Sequence, residues 1–188
     1  MKNYINKYFE TVSENFMNLK GQSSEINAAV DQIVASLKAG NKIIFCGNGG
    51  SASDAQHLAT ELIGRYKDDR PPLAAIAITT DTSALTAIGN DYGFENIFSR
   101  QIIGIGKPGD TLVAISTSGK SKNVINAVHS AVANSIKVIG FTGQDESELS
   151  KLCDICINAQ SKKTNHIQEM HIAIGQLICE IVEKEAFK

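Results

Sequence analysis

Prolines number three and cysteines four, and neither sign of charge prevails: eighteen Lys and Arg stand against twenty Asp and Glu in 188 residues, a formal net charge of −2. With so little proline, fifteen glycines and 43% hydrophobic residues, a disordered or low-complexity chain is excluded. No block of like charge occurs, so the electrostatic footprint of a general nucleic-acid binder is missing. An anionic ligand would need a local site. No stretch approaches the ~20 apolar residues that cross a bilayer, and Met1–Lys7 contains no apolar signal region. A cytoplasmic protein with no nucleic-acid or membrane partner is expected. Cys46, Cys153, Cys156 and Cys179 are too few and too scattered for a disulfide framework. Cys153 and Cys156 have the C-x-x-C spacing, but no second pair or nearby His completes a metal site, so buried structural thiols are expected there.

What is present is a change of rhythm. Ile5, Phe9, Val12, Phe16 and Leu19 recur every three or four residues, as do Ile26, Val30, Ile33 and Leu37 between Gly21 and Gly40, which predicts two amphipathic helices. Short β-branched runs follow: Lys42–Cys46, Leu73–Ile78, Thr111–Ser116, Lys137–Thr142 and Asp154–Asn158. Segments of helical character separate them, Asp54–Arg65, Phe94–Ile103 and Asn123–Asn134, and Ile167 to Ile181 makes a last helix. This alternation predicts an α/β fold: a doubly wound, five-stranded parallel sheet flanked by helices. Length fits one domain, since a domain takes ~100–200 residues. Residues 1–40 form its N-terminal helical pair and 41–188 the α/β core with the C-terminal helix. Lys67–Pro72 reads as a polar, linker-like loop.

Ligands of open α/β sheets sit at the carboxyl ends of strands, beside the helix N-termini that follow. Two such ends stand out. Gly47-Asn48-Gly49-Gly50-Ser51-Ala52-Ser53 combines glycines, which permit close backbone approach, with hydroxyl donors at a helix start. A plain turn capped by Ser or Asp is the alternative. Ser116-Thr117-Ser118-Gly119-Lys120-Ser121 places four hydroxyls in six positions, more than capping requires. Together the loops predict a phosphoryl-binding crevice. Gly119-Lys120-Ser121 ends like a nucleotide-binding P-loop, but its opening glycine would fall at Ala114. Gly104–Gly109 spells G-x-G-x-x-G, yet it precedes a strand where a dinucleotide fingerprint follows one, so it reads as a turn.

His57 and Glu61 lie four apart on one helix face, with Arg65 one turn further. On the last helix Gln168 and Gln176, eight apart, differ by about 80° and can lean toward one site.

The segments Gly47–Arg65 (GNGGSASDAQHLATELIGR), Gly89–Arg100 (GNDYGFENIFSR), Ile115–Ser121 (ISTSGKS) and Ile167–His171 (IQEMH) resemble the signature segments of the phosphoheptose isomerases, whose fold is the sugar isomerase (SIS) domain, a flavodoxin-like arrangement. The likeness spans almost the whole chain. It implies conversion of sedoheptulose 7-phosphate to D-glycero-D-manno-heptose 7-phosphate for bacterial surface polysaccharide. It further implies phosphate-binding serines at Ser51, Ser116, Ser118 and Ser121, and substrate contacts at Asn48, Arg65, Asp91, Thr117, Asn165 and Gln168. One Zn²⁺ per subunit would be held by His57, Glu61, Gln168 and Gln176, and the assembly would be a homotetramer.

Two positions depart from the family pattern. Gln176 stands where a second histidine, an acid/base and metal ligand, is usual, and Asn165 where an Asp is frequent. An amide can offer an oxygen ligand but exchanges no proton near neutral pH. Glu61 is thus the expected catalytic carboxylate, with Gln176 in the place of a second catalytic group. A non-catalytic SIS protein that binds a phosphosugar or a protein partner, as in the relatives associated with the replication initiator, is the alternative.

Overall fold

In the computed structural model, which describes residues 1–188, the leading periodicities form α1 (Lys2–Asn18) and α2 (Ser23–Lys38), joined by a 3-10 turn at Leu19–Gln22. Ile26, Ala29, Val30 and Ile33 bury one face of α2. The stripe of α1 stays outside: Ile5, Phe9 and Phe16 are 48%, 65% and 38% exposed.

The five apolar runs become β1 (Ile43–Gly47), β2 (Ala75–Ala77), β3 (Thr111–Ile115), β4 (Lys137–Gly143) and β5 (Ile155–Ala159), all parallel, in the order β2-β1-β3-β4-β5. β1 and β3 are buried throughout, which is why their sequences are continuous apolar runs rather than alternations. Between the strands lie α3 (Gly50–Ile63), α4 (Thr82–Tyr92), α5 (Ser99–Ile105), α6 (Lys122–Ala133) and α7 (Glu148–Leu152), and α8 (Thr164–Glu185) ends the chain. The expected helix Phe94–Ile103 is in fact a 3-10 turn at Phe94–Asn96 followed by α5, and Gly104 and Ile105 belong to α5, so only Gly106–Gly109 of that glycine segment is a turn. Helices α4 and α7 had no counterpart among the expected elements.

Two apolar layers clothe the sheet. One packs α2, α3 and α8 on one face; the other packs α5, α6 and α7 on the opposite face. Strand order reverses between β1 and β3, which opens a crevice at their carboxyl ends. Both hydroxyl-rich loops leave from those ends.

Helices α3 and α8 approach closely because Gly175 has no side chain: a Cβ there would lie 2.5 Å from Leu58 Cδ1. Lys67–Pro72 is not a mere linker. Glu183 of α8 accepts the backbone N–H groups of Tyr66 (2.9 Å), Lys67 (2.8 Å) and Asp68 (2.9 Å), and the Arg70 Nε at 2.8 Å. Arg70 in turn donates to the carbonyls of Glu61 and Leu62, both at 2.8 Å, closing the last turn of α3. The two side chains are 5% and 3% exposed. Burial alone would raise the Glu183 carboxyl, but the amides of Asp68, Tyr66 and Lys67 and the Arg70 guanidinium outweigh it and hold the group at about 2.

Removing one partner of such a pair leaves the other buried and uncompensated, so Arg70→Ala should lose about 3–5 kcal/mol in urea unfolding at pH 7. A depressed carboxyl stabilises fully above its ordinary value, near 4.5, and loses that contribution as pH falls toward 2. Glu183→Gln should therefore be less stable at neutral pH and show a shallower loss of stability across that window. An unchanged acid limb would refute the assignment.

Candidate active site

The loop after β1 needs its glycines. A Cβ at Gly47 would lie 2.8 Å from the Ser51 carbonyl oxygen, and Gly49 has a φ of 55°. The helix cap is Gly49 itself, without a side-chain cap, so the alternative of an ordinary Ser- or Asp-capped turn is not what forms. Ser51 is buried, and the N–H groups of Gly49 and Gly50 make no backbone hydrogen bond. Free N–H groups at a helix start form an anion-binding surface.

The loop after β3 is held from behind. Gly119 has a φ of 61°, and a Cβ there would strike Ser147 Oγ at 2.1 Å. Gly143 N–H donates to the Thr117 carbonyl at 3.2 Å. Within the loop Ser116 Oγ lies 3.0 Å from Ser121 Oγ, and Ser118 Oγ accepts the Lys120 N–H at 3.2 Å. Ser121 precedes α6 without capping it. Beside this loop is a cavity of about 230 Å³ lined by Thr117, Ser118, Lys120, Ser161 and Thr164. At its rim Asp145 and Glu146 pair with Lys162 (3.1 Å) and Lys151 (3.0 Å).

A reciprocal amide pair joins the loops. Asn48 and Asn123 each donate to the other at 2.8 Å. Asn123 is nearly buried and was not among the expected site residues.

Across the crevice, α3 and α8 present the remaining groups. His57 Nε2 lies 2.9 Å from Glu61 Oε1, with the side chains 48% and 20% exposed. Gln168 donates its amide hydrogen to Asp54 Oδ2, and its Oε1 rests on Gly50, where a Cβ would lie 2.7 Å away. Burial pushes the Asp54 carboxyl up to about 6, against the pull of His57 and the Gln168 bond. Asp54 was also missed, although it lies three residues before His57 on the same helix face. Gln176 is half-buried on α8.

Other expected groups stand apart. Arg65 is exposed beyond the end of α3, and Asp91 is exposed on α4, where Asn90 donates to it at 2.7 Å. Asn165 donates to Tyr8 Oη of α1 at 3.2 Å. Tyr8 also donates to Glu169, whose other oxygen lies 2.9 Å from His166 Nδ1, so this cluster fastens α1 to α8. His171 is fully buried with Nε2 on the Thr142 carbonyl at 3.0 Å, and burial pulls its pKa down to about 4. It faces the sheet and cannot replace the missing histidine at position 176.

Parallel strands in this order, with hydroxyl and amide donors gathered where the order reverses, define an SIS-domain protein, and the SIS domain model matches residues 7–143. The phosphoheptose isomerase of Akkermansia muciniphila is 49% identical over 187 residues, covering 100% of this chain and 99% of that protein. The phosphoheptose isomerase of Rhodospirillum rubrum is 50% identical, covering 97% of each. The solved phosphoheptose isomerase from Neisseria gonorrhoeae superposes with a TM-score of 0.92 at 39% identity, over 97% of this chain and 98% of that one. The chain therefore belongs to the phosphoheptose isomerase family.

The cradle consists of neutral donors, with Lys120 exposed at its edge. Ser116→Ala should accordingly weaken substrate binding more than Lys120→Ala, by several-fold in KM. Were Lys120→Ala the more damaging, a P-loop-like use of this segment would be the better reading.

Proposed function

We propose that this protein is an aldose–ketose isomerase that converts sedoheptulose 7-phosphate to D-glycero-D-manno-heptose 7-phosphate, in cytoplasmic heptose synthesis for a bacterial surface polysaccharide. What carries the reading is the combination of a neutral phosphate cradle on β1 and β3 with the Glu61 carboxylate, ten residues along the helix that starts from the cradle. At 1.5 Å per residue this separation is about 15 Å, more than one extended seven-carbon sugar phosphate spans, so the cradle of one subunit would serve the Glu61 of a neighbouring one. The family relationship supports the same substrate, since the relatives named above are phosphoheptose isomerases.

Isomerisation moves a proton between C1 and C2 through an enediol. Glu61 removes it from one carbon and returns it to the neighbour. Ser51, Ser116, Ser118 and Ser121 bind the phosphate, with Asn48 and Thr117 beside them. Arg65, Asp91 and Asn165 lie outside this grouping within one chain, so their substrate contacts would be completed across subunits. The exposed Tyr4, Phe9 and Met17 of α1 give a homotetramer an apolar surface to bury.

The donors fit a divalent cation, and weakly. His57 Nε2 and Glu61 Oε1 already converge, whereas the Gln168 oxygen rests on Gly50 and would have to turn toward them on metal binding; Gln176 can add a second amide oxygen. No group of three His, Cys, Asp or Glu forms a stronger set. Zinc bound by these four side chains would stabilise negative charge on the substrate oxygens. Metal analysis after gentle purification should find substoichiometric zinc that falls further in His57→Ala; equal metal in both proteins would exclude the site.

Gln176 favours one other reading, a phosphosugar-binding protein without turnover. Incubation with sedoheptulose 7-phosphate in D₂O, followed by NMR, separates the two. Slow conversion with deuterium incorporation is expected, abolished by Glu61→Gln. A general acid–base group contributes ~10²–10⁴-fold, so Gln176→His should raise the rate within that range and add a histidine limb to the pH profile. Absence of both conversion and exchange in the wild type would leave the binding protein standing.

A further inference from the structure

The C-x-x-C pair is not buried as its sequence context suggests: Cys46 and Cys179 are, whereas Cys153 and Cys156 are both half-exposed. The chain leaves α7 at Cys153, bends at Asp154 and enters β5, where Cys156 stands in register with Gly140 of β4. The two sulfurs occupy the space that a side chain at position 140 would fill. A Cβ on Gly140 would lie 2.4 Å from Cys153 Sγ and 3.6 Å from Cys156 Sγ, so the sulfurs are at most about 6 Å apart.

Their surroundings differ. Cys156 Sγ lies 3.3 Å from Asn158 Oδ1 and 3.7 Å from Thr142 Oγ1. Cys153 Sγ is 3.0 Å from the Leu149 carbonyl and lines an open groove of about 430 Å³ with Val132, Ser135, Lys137 and Leu152. A small molecule can thus reach Cys153 directly, with Cys156 within about 6 Å behind it.

We propose that Cys153 and Cys156 form a thiol–disulfide exchange site, which closes to an intrachain disulfide with a low-molecular-weight disulfide as oxidant. The Cys153 thiolate, formed by loss of its proton to solvent, attacks one sulfur of the small disulfide, whose S–S bond breaks and releases a first small thiolate. Cys156 gives its proton to that thiolate and attacks Cys153 Sγ. The protein S–S bond forms and the second small thiolate leaves. Two electrons pass from the cysteine sulfurs to the oxidant, which ends as two thiols. The pair lies along β4 and β5 and includes none of the crevice residues.

The test treats the reduced full chain with hydroxyethyl disulfide, quenches in acid and maps tryptic peptides, of which Leu152–Lys162 contains both thiols. The expected product is this peptide two hydrogens lighter, restored by dithiothreitol, with Cys46 and Cys179 unmodified. In Cys156→Ser the reaction should stop at a mixed disulfide on Cys153. Free thiols at both positions, two separate adducts without closure, or a bond to Cys46 would each overturn the proposal.

Discussion

A guanidinium and a carboxylate enclosed beneath residues 66–70 set the relation between the two helices on which the site depends. Glu183 lies near the end of α8, Arg70 follows α3, and their contact fixes both the last turn of α3 and its height against α8. Four donors converge on one carboxylate, so the cost of desolvating it is offset locally rather than by the apolar core. The Leu58–Gly175 contact then works as a spacer of fixed thickness. Glu61 lies between these two points on α3, so its place against α8 is set from both sides.

Legibility followed the range of the interactions. Strands β1, β3, β4 and β5 were readable to within a residue because each is a short run between polar loops; in β1, β3 and β4 burial on both faces demands an apolar run, while the edge strand β5 is only partly buried. Helix α4 was not, since none of its residues is buried and no stripe marks it; its start is fixed by Asp81 accepting the Ala84 N–H at 2.9 Å. The phosphate loops were visible because glycine and hydroxyl residues crowd two strand ends. Asn123 and Arg70 were invisible for a different reason. Their roles exist only through partners 75 and 113 positions away, and no local spacing records a pairing of that length.

The departure at Gln176 separates binding from proton transfer in a way few positions do. Everything that would grip the phosphate lies on the loops that leave β1 and β3 and in the first turn of α3, while everything that would move a proton lies further along α3 and on α8. A change on α8 can therefore alter the rate while leaving the cradle untouched. Asp54 is the one carboxyl that touches both halves, since it sits in the first turns of α3 and accepts from Gln168.

The joint between the two loops is made of two uncharged amides, Asn48 and Asn123. Such a joint neither titrates nor attracts counterions, so the spacing of the cradle is the same in dilute buffer and in concentrated salt. Nor does it compete with an incoming dianion for positive charge. Two groups at the crevice would change ionisation in the same range: the ligand's own phosphate, with a second pKa of about 6, and the Asp54 carboxyl, which burial raises to about 6. The serines and amides of the loops keep one charge state throughout, so the pH dependence of holding a sugar phosphate there would come from the ligand and from Asp54 alone.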